Sequence, residues 1–329
     1  MSYTSESELP IGTNLRRVLD VIELLGYRKV NDRLRVEGHV SSYAWHETKE
    51  YKSWSGVELY VYRNNSSIRI ETRSTASRSY WDLKHQNETL KLIRDLFGGH
   101  FITDAGRNRY WHPDRKPPSP LVSGCFLARW QFHSAFFKAR IYLDARKLEG
   151  NMAKESATGL SFIDEINPRL LSNNLMIPYV IAVWEEYFRS TFTALLKYAD
   201  RREVVLKKAR LSHAQLEQIA IEKKPIEQAI SECFSFQRPG IIGENYKMLD
   251  SKIDIAAALR RPYRRRNTTL YDSIETLVEQ RNAFVHAGTM NLALYDKKLR
   301  QVLEDITEGV DRSYSAIGLH FGFVPIRRY

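Results

Sequence analysis

Ile177, Ile181, Trp184, Phe188, Phe192 and Leu195 follow one another at steps of three and four residues. That spacing places six large apolar side chains on one face of a single helix, a stripe that has to be covered by other helices. Helical period persists through the rest of the chain. Further helices are expected over about 212–235, with a bend near Pro225, then 244–259, 269–287 and 291–316. Pro178 is read as lying near the start of the first helix, where its missing N–H costs nothing. Thr269 and Asp272 form a capping pattern at the head of the fourth helix, and Gly288 supplies its stop. Five helices with modest connections predict an all-α bundle over 174–320.

The first part of the chain has a different period. Leu15, Val18, Leu19, Ile22 and Leu25 read as a helix closed by Gly26, whereas Val57–Val61 and Ile68–Ile70 alternate. Alternation on either side of Asn64, Asn65 and Ser66 predicts a hairpin over 57–72. A second helix is expected from Ser79 to Phe97, ended by Gly98-Gly99. Residues 105–124 read as loop, and the aromatic-rich stretch 125–143 as a further extended pair. The fold class is therefore α+β. Residues 1–150 form a mixed domain with a small antiparallel sheet, 151–173 a linker, and 174–320 the bundle.

Charge narrows the set of partners. Lys and Arg total 50 against 39 Asp and Glu, a net +11. Residues 1–150 hold 24 basic and 17 acidic residues, net +7, and the remainder 26 and 22, net +4. Two positive halves attract polyanions through steering and counterion release. Tyr43, Trp45, Tyr51, Trp54, Tyr60 and Tyr62 interleave with Arg63, Arg69 and Arg73, a composition suited to stacking single-stranded nucleic acid as well as to filling a core. The two cysteines, Cys125 and Cys233, have no metal-type spacing. The polar start is unlike a signal peptide, and no apolar run reaches membrane-spanning length. The expectation is a cytoplasmic protein without disulfides.

No HxH, HExxH, phosphate-binding glycine loop or GxSxG elbow occurs, so no metal and no cofactor is expected. The residues equipped for chemistry are Arg281, Asn282 and His286 at the end of the fourth bundle helix. Histidine moves protons near neutral pH, arginine stabilises charge building on a phosphate, and asparagine orients either one. RNA brings its own nucleophile, the 2′-OH, so this set suffices without a metal. Arg281 and His286 lie roughly 140° apart around an ideal helix, so a shared site calls for a second copy of the helix. Upstream, Arg260, Arg261, Arg264, Arg265 and Arg266 place five arginines within seven residues, suited to RNA phosphates.

An arginine, a polar residue and a histidine near the end of a bundle helix resemble the HEPN family. Ala182-Val183-Trp184-Glu185-Glu186-Tyr187-Phe188 is similar to the apolar-Trp-Glu signature of its toxin and phage-defence ribonucleases. The resemblance covers about 174–318. It implies metal-independent RNA cleavage by a homodimer with both motifs facing one cleft, Arg281, Asn282 and His286 catalytic, Glu185 in support, and a cognate inhibitor or accessory protein as a further partner. Arg33–His39, Arg78–His85, Arg94–His100 and Arg107–His112 share the bare Arg-to-His spacing, but only Arg281–His286 also has the bundle, the cap and the helix end. The competing expectation is a non-catalytic nucleic-acid-binding or regulatory adaptor that dimerises through the bundle.

Overall fold

The computed structural model describes residues 2–31, 36–64, 67–113, 116–146, 160–199, 201–221 and 223–326. Arg33, Leu34, the turn residues Asn65 and Ser66, and positions 151–159 of the expected linker lie outside them. The chain divides into two compact units between Ser123 and Gly124.

The N-terminal unit is an antiparallel sheet with two helices. Its strands are β1 (Tyr3–Glu8), β2 (Arg28–Val30), β3 (His39–Trp45), β4 (Val57–Asn64), β5 (Ser67–Ser74), β6 (His100–Thr103) and β7 (Gly106–Arg107). They are ordered β2-β3-β4-β5-β1-β6-β7. The expected hairpin is β4–β5, paired from Val57↔Ser74 to Asn64↔Ser67. Alternation sends Leu59, Val61, Ile68 and Ile70 inward, where they meet Val18 and Ile22 of α1 (Leu15–Leu24) and Ile93 of α2 (Tyr80–Phe97). Ser79 and Asp82 close a reciprocal capping box on α2, and Asp82 also accepts from the backbone amides of Trp54 and Ser55.

On the other sheet face Tyr60, Tyr62, Arg69 and Arg73 do stand together. Arg69 lies 4.6 Å from the Tyr62 ring, but Glu6 is 3.8 Å from Arg69 and Glu58 is 3.8 Å from Arg73. Glu71 on the same face has its carboxyl pushed up by burial and by the neighbouring Glu6. Acidic partners thus offset the arginines, while Tyr43 belongs to the core and Trp45 packs against it.

The stretch 125–143 is not extended. It lies within a 26-residue helix, α3 (Pro120–Ala145). Cys125, Ala128, Phe132, Phe136, Ala139, Leu143 and Arg146 are all buried and recur at steps of three and four, so helical period outweighs the β-propensity of the aromatics. Ser119 accepts from the Val122 amide and Pro120 follows it, an ordinary helix start.

The C-terminal unit continues with α4 (Ser161–Glu165) and α5 (Pro168–Lys197). Residues 161–173, expected as linker, are thus largely helical. Asn167 caps α5 and Pro168 occupies its first turn, which leaves Pro178 inside the helix rather than near its start. After α6 (Arg202–Lys208) come α7 (His213–Ala220), α8 (Ile226–Ser231), α9 (Pro239–Leu249) and α10 (Ile255–Arg260). These replace the single helices expected over 212–235 and 244–259, because Pro225 and the Asp250–Asp254 turn end one helix and begin the next. The last two are α11 (Leu270–Ala287) and α12 (Asp296–His320). The central element is α5, which packs against α8, α9, α11 and α12. Its Trp184, Phe188 and Phe192 join Phe236 and Tyr246 in one aromatic core. Among the described residues no helix is long and apolar enough to cross a membrane.

Candidate active site

Local signals fix α11 at both ends. Thr269 and Asp272 complete the capping box, and Gly288 ends the helix in the left-handed region at φ 67°. Leu270, Ile274, Leu277 and Val278 hold its inner face in the core. Glu275, Glu279, Asn282 and His286 follow at steps of three and four on another face. Arg281 comes one turn after Leu277, at the point where the core face runs out.

Arg281 and Asn282 are half-buried, and the guanidinium donates to Asn282 Oδ1 at 2.9 Å. Neither Arg281 nor His286 has a carboxylate partner among the described residues, and His286 is exposed. The structure therefore brings Arg281 and Asn282 into direct contact and leaves His286 one helical turn beyond them.

Glu185 is engaged elsewhere. Its carboxylate accepts from Arg189 at 2.7 Å and from Gln237 Nε2 at 3.1 Å, while the indole of Trp184 donates to the Gln237 carbonyl at 3.1 Å. The next residue, Arg238, meets Glu275 at 2.7 Å and Glu279 at 3.8 Å. Trp184 and Glu185 thus grip the turn before α9, and that turn is tied to the face of α11 bearing Asn282 and His286. Glu185 reaches this face through Gln237 and Arg238, not by a hydrogen bond of its own to the motif.

The five arginines of 260–266 split by environment. Arg264 is 2.6 Å from Glu304, and Arg266 places Nη1 2.7 and 2.8 Å from the two oxygens of Asp305. Arg260 covers the Tyr271 ring at 4.0 Å. Arg261 and Arg265 are exposed and meet no carboxylate among the described residues. Two of the five therefore fasten the loop to α12, and two remain available to an anion.

Residues absent from the expected site hold the segment that follows the motif. Asn174 accepts from the Asn291 amide at 2.8 Å and donates to its carbonyl at 3.2 Å. Asn173 donates to the Leu294 carbonyl at 2.8 Å and to Asp296 at 3.1 Å. Burial alone would raise the Asp296 carboxyl, but hydrogen bonds from Arg169 and Asn173 and the charges of Arg169 and Arg146 hold it below the usual carboxylate range. The buried pair Asn173-Asn174, beside the apolar step from Leu170 to Ile177, was the available signal. Among the described residues no group of three His, Cys, Asp or Glu side chains could hold a metal ion.

No family model, no curated protein and no solved structure matches this chain.

Proposed function

We propose that the chain is a metal-independent endoribonuclease that acts as a cytoplasmic homodimer, as a toxin or phage-defence effector. The observation that carries this reading is the end of α11. There an arginine and an asparagine are hydrogen-bonded at 2.9 Å, a histidine stands exposed one turn on, and no carboxylate neutralises the cation among the described residues. In the proposed reaction His286 takes the proton of the 2′-OH and the 2′-oxygen bonds to the adjacent phosphorus. Arg281 stabilises the charge on the non-bridging oxygens, and Asn282 holds the guanidinium in place. The 5′-oxygen leaves with a proton from the imidazolium of the second copy, giving a 2′,3′-cyclic phosphate and a 5′-hydroxyl.

The test is end-group analysis of RNA incubated with the protein in EDTA. Wild type should yield 5′-hydroxyl ends and leave DNA intact, since DNA lacks the nucleophile. Arg281→Ala and His286→Ala should each lower cleavage at least about a hundredfold with the helical spectrum unchanged. Wild-type rates from His286→Ala, or 5′-phosphate ends that need Mg²⁺, would overturn the assignment. Complete inactivity of the wild type on total RNA would favour the adaptor reading.

A further inference from the structure

A cavity of about 220 Å³ opens on the seam between α11 and α12. Its floor is apolar: Ile274, Leu277, Leu294 and Ile306 are buried there, and Val302 joins them. Its rim is polar, and the unused groups on that rim share one character. Asn291 donates to Gln280 Oε1 at 3.1 Å, which leaves the Gln280 Nε2 hydrogens without a partner among the described residues. With the Gln301 amide oriented to suit its neighbours, its oxygen accepts from Arg266 at 3.1 and 3.2 Å, so its nitrogen is also left to donate. Thr268 and Ser273 add hydroxyls. Lys298 adds an ammonium that meets no carboxylate among the described residues, whereas the charge of Arg266 is matched by Asp305.

The ligand that fits is small, flat enough to lie on an aliphatic floor, rich in acceptors along one edge, and anionic at one end. We propose that this seam is a binding site for a pyrimidine nucleotide, with a uracil-type ring on Ile274 and Leu277. Its carbonyl oxygens accept from the Gln280 and Gln301 amides, and its phosphate faces Lys298. Adenine, which presents an amino donor where uracil presents a carbonyl, matches these two amide donors less well. The site lies on a different face of α11 from Asn282 and His286. The same chemistry is offered by a free mononucleotide and by one unpaired residue of an RNA.

Calorimetric titration of the full chain with UMP, AMP, inorganic phosphate and a 2′-fluoro hexa-uridylate separates these sources. None of the four offers a 2′-OH beside a phosphodiester, so the outcome does not depend on whether His286 is catalytic. Saturable binding of UMP identifies a free nucleotide as a ligand, and binding of the oligonucleotide alone identifies an RNA residue. In either case Gln280→Leu and Lys298→Gln should each weaken binding by about three- to tenfold, the loss expected for one hydrogen bond or one charged contact. Lys298 is exposed, so its variant keeps the fold even if Gln280→Leu disturbs Asn291. Phosphate binding as tight as UMP, AMP binding tighter than UMP, affinities unchanged in both variants, or no binding by UMP and oligonucleotide alike would each overturn the proposal.

Discussion

Trp45 lies flat on His85, ring centroids 3.8 Å apart and 10° from parallel, and Tyr27 tilts against the same imidazole at 5.1 Å. Burial pushes the His85 pKa down to about 4, because a charged imidazolium would lose its water and gain no partner there. The unfolded chain takes up that proton near pH 6.5 and the folded chain only near 4. The unfolded state therefore binds more protons throughout this window. Stability is full above pH 6.5 and is lost as pH falls towards 4, by about 1.4 kcal/mol per pH unit. From pH 7 to pH 5 the loss from this group is about 2 kcal/mol. His85→Phe keeps a flat ring against Trp45 and removes the titration, so urea unfolding of the variant should lack that share of the slope. A variant that loses stability as steeply as wild type would assign the effect to carboxylates instead. The same contrast between burial and engagement separates the arginines, since Arg266 meets both oxygens of Asp305 whereas Arg281 meets only an amide oxygen.

Three helices meet α12 at one small residue. A Cβ on Gly309 would stand 3.1 Å from Trp184 of α5, 3.3 Å from Ile274 of α11 and 3.4 Å from Leu259 of α10. Replacing Gly309 by Ala gains about 1 kcal/mol of helix propensity and sets it against that crowding, so the net change should be small. Gly309→Val adds two methyls where there is no room and should cost roughly 1–3 kcal/mol in chemical denaturation. Wild-type stability in the valine variant would mean that the helices separate there without penalty. Elements set by local signals were legible: Thr269, Asp272 and Gly288 delimit α11 to within a residue, and the apolar stripe of α5 is buried as its period requires. Elements set by distant partners were not. Strand β1 reads as a polar tail because its inward positions are Ser5 and Ser7, and Ser5 finds its partner in Thr72, 67 residues away. Asn173 reads as the end of the linker and Asn174 as the first residue of the bundle, with no role for either, because the segment they hold is more than a hundred residues further on. Helix α3 was obscured by Phe137 and Ile141, which are 62% and 52% exposed and spread apolar residues around the helix beyond its buried face. At the site, the type and end of α11 were readable from sequence, while the engagement of Glu185 by Arg189 and Gln237 was not, since it needs the turn before α9.

The count of 50 lysines and arginines overstates the cations that an RNA strand would meet under the proposed reading. Several of these cations are already engaged: Arg169 and Arg146 lie on Asp296, Arg129 on Asp311, Arg238 on Glu275, and Arg264 and Arg266 on Glu304 and Asp305. A cation held in an ion pair must leave its carboxylate before it can neutralise a phosphate and release that phosphate's counterion, so it adds little to the salt dependence of binding. Each unpaired cation that neutralises a phosphate steepens the slope of log K against log salt by about 0.7 for a single strand. The loop before α11 separates the two cases within adjacent residues. Arg265→Gln should reduce the slope by about 0.7, whereas Arg264→Gln should change it much less, because Glu304 already occupies that guanidinium at 2.6 Å. The measurement is fluorescence anisotropy of a labelled single-stranded RNA between 50 and 200 mM KCl (roughly the range over which such slopes are read), with His286→Ala protein so that the strand survives. Equal changes from the two substitutions would show that RNA draws Arg264 away from Glu304, and the loop would then act as a block of charge rather than through its unpaired members. No change from either would remove the loop from the RNA interface and leave Arg281 and Lys298 as the cations to test.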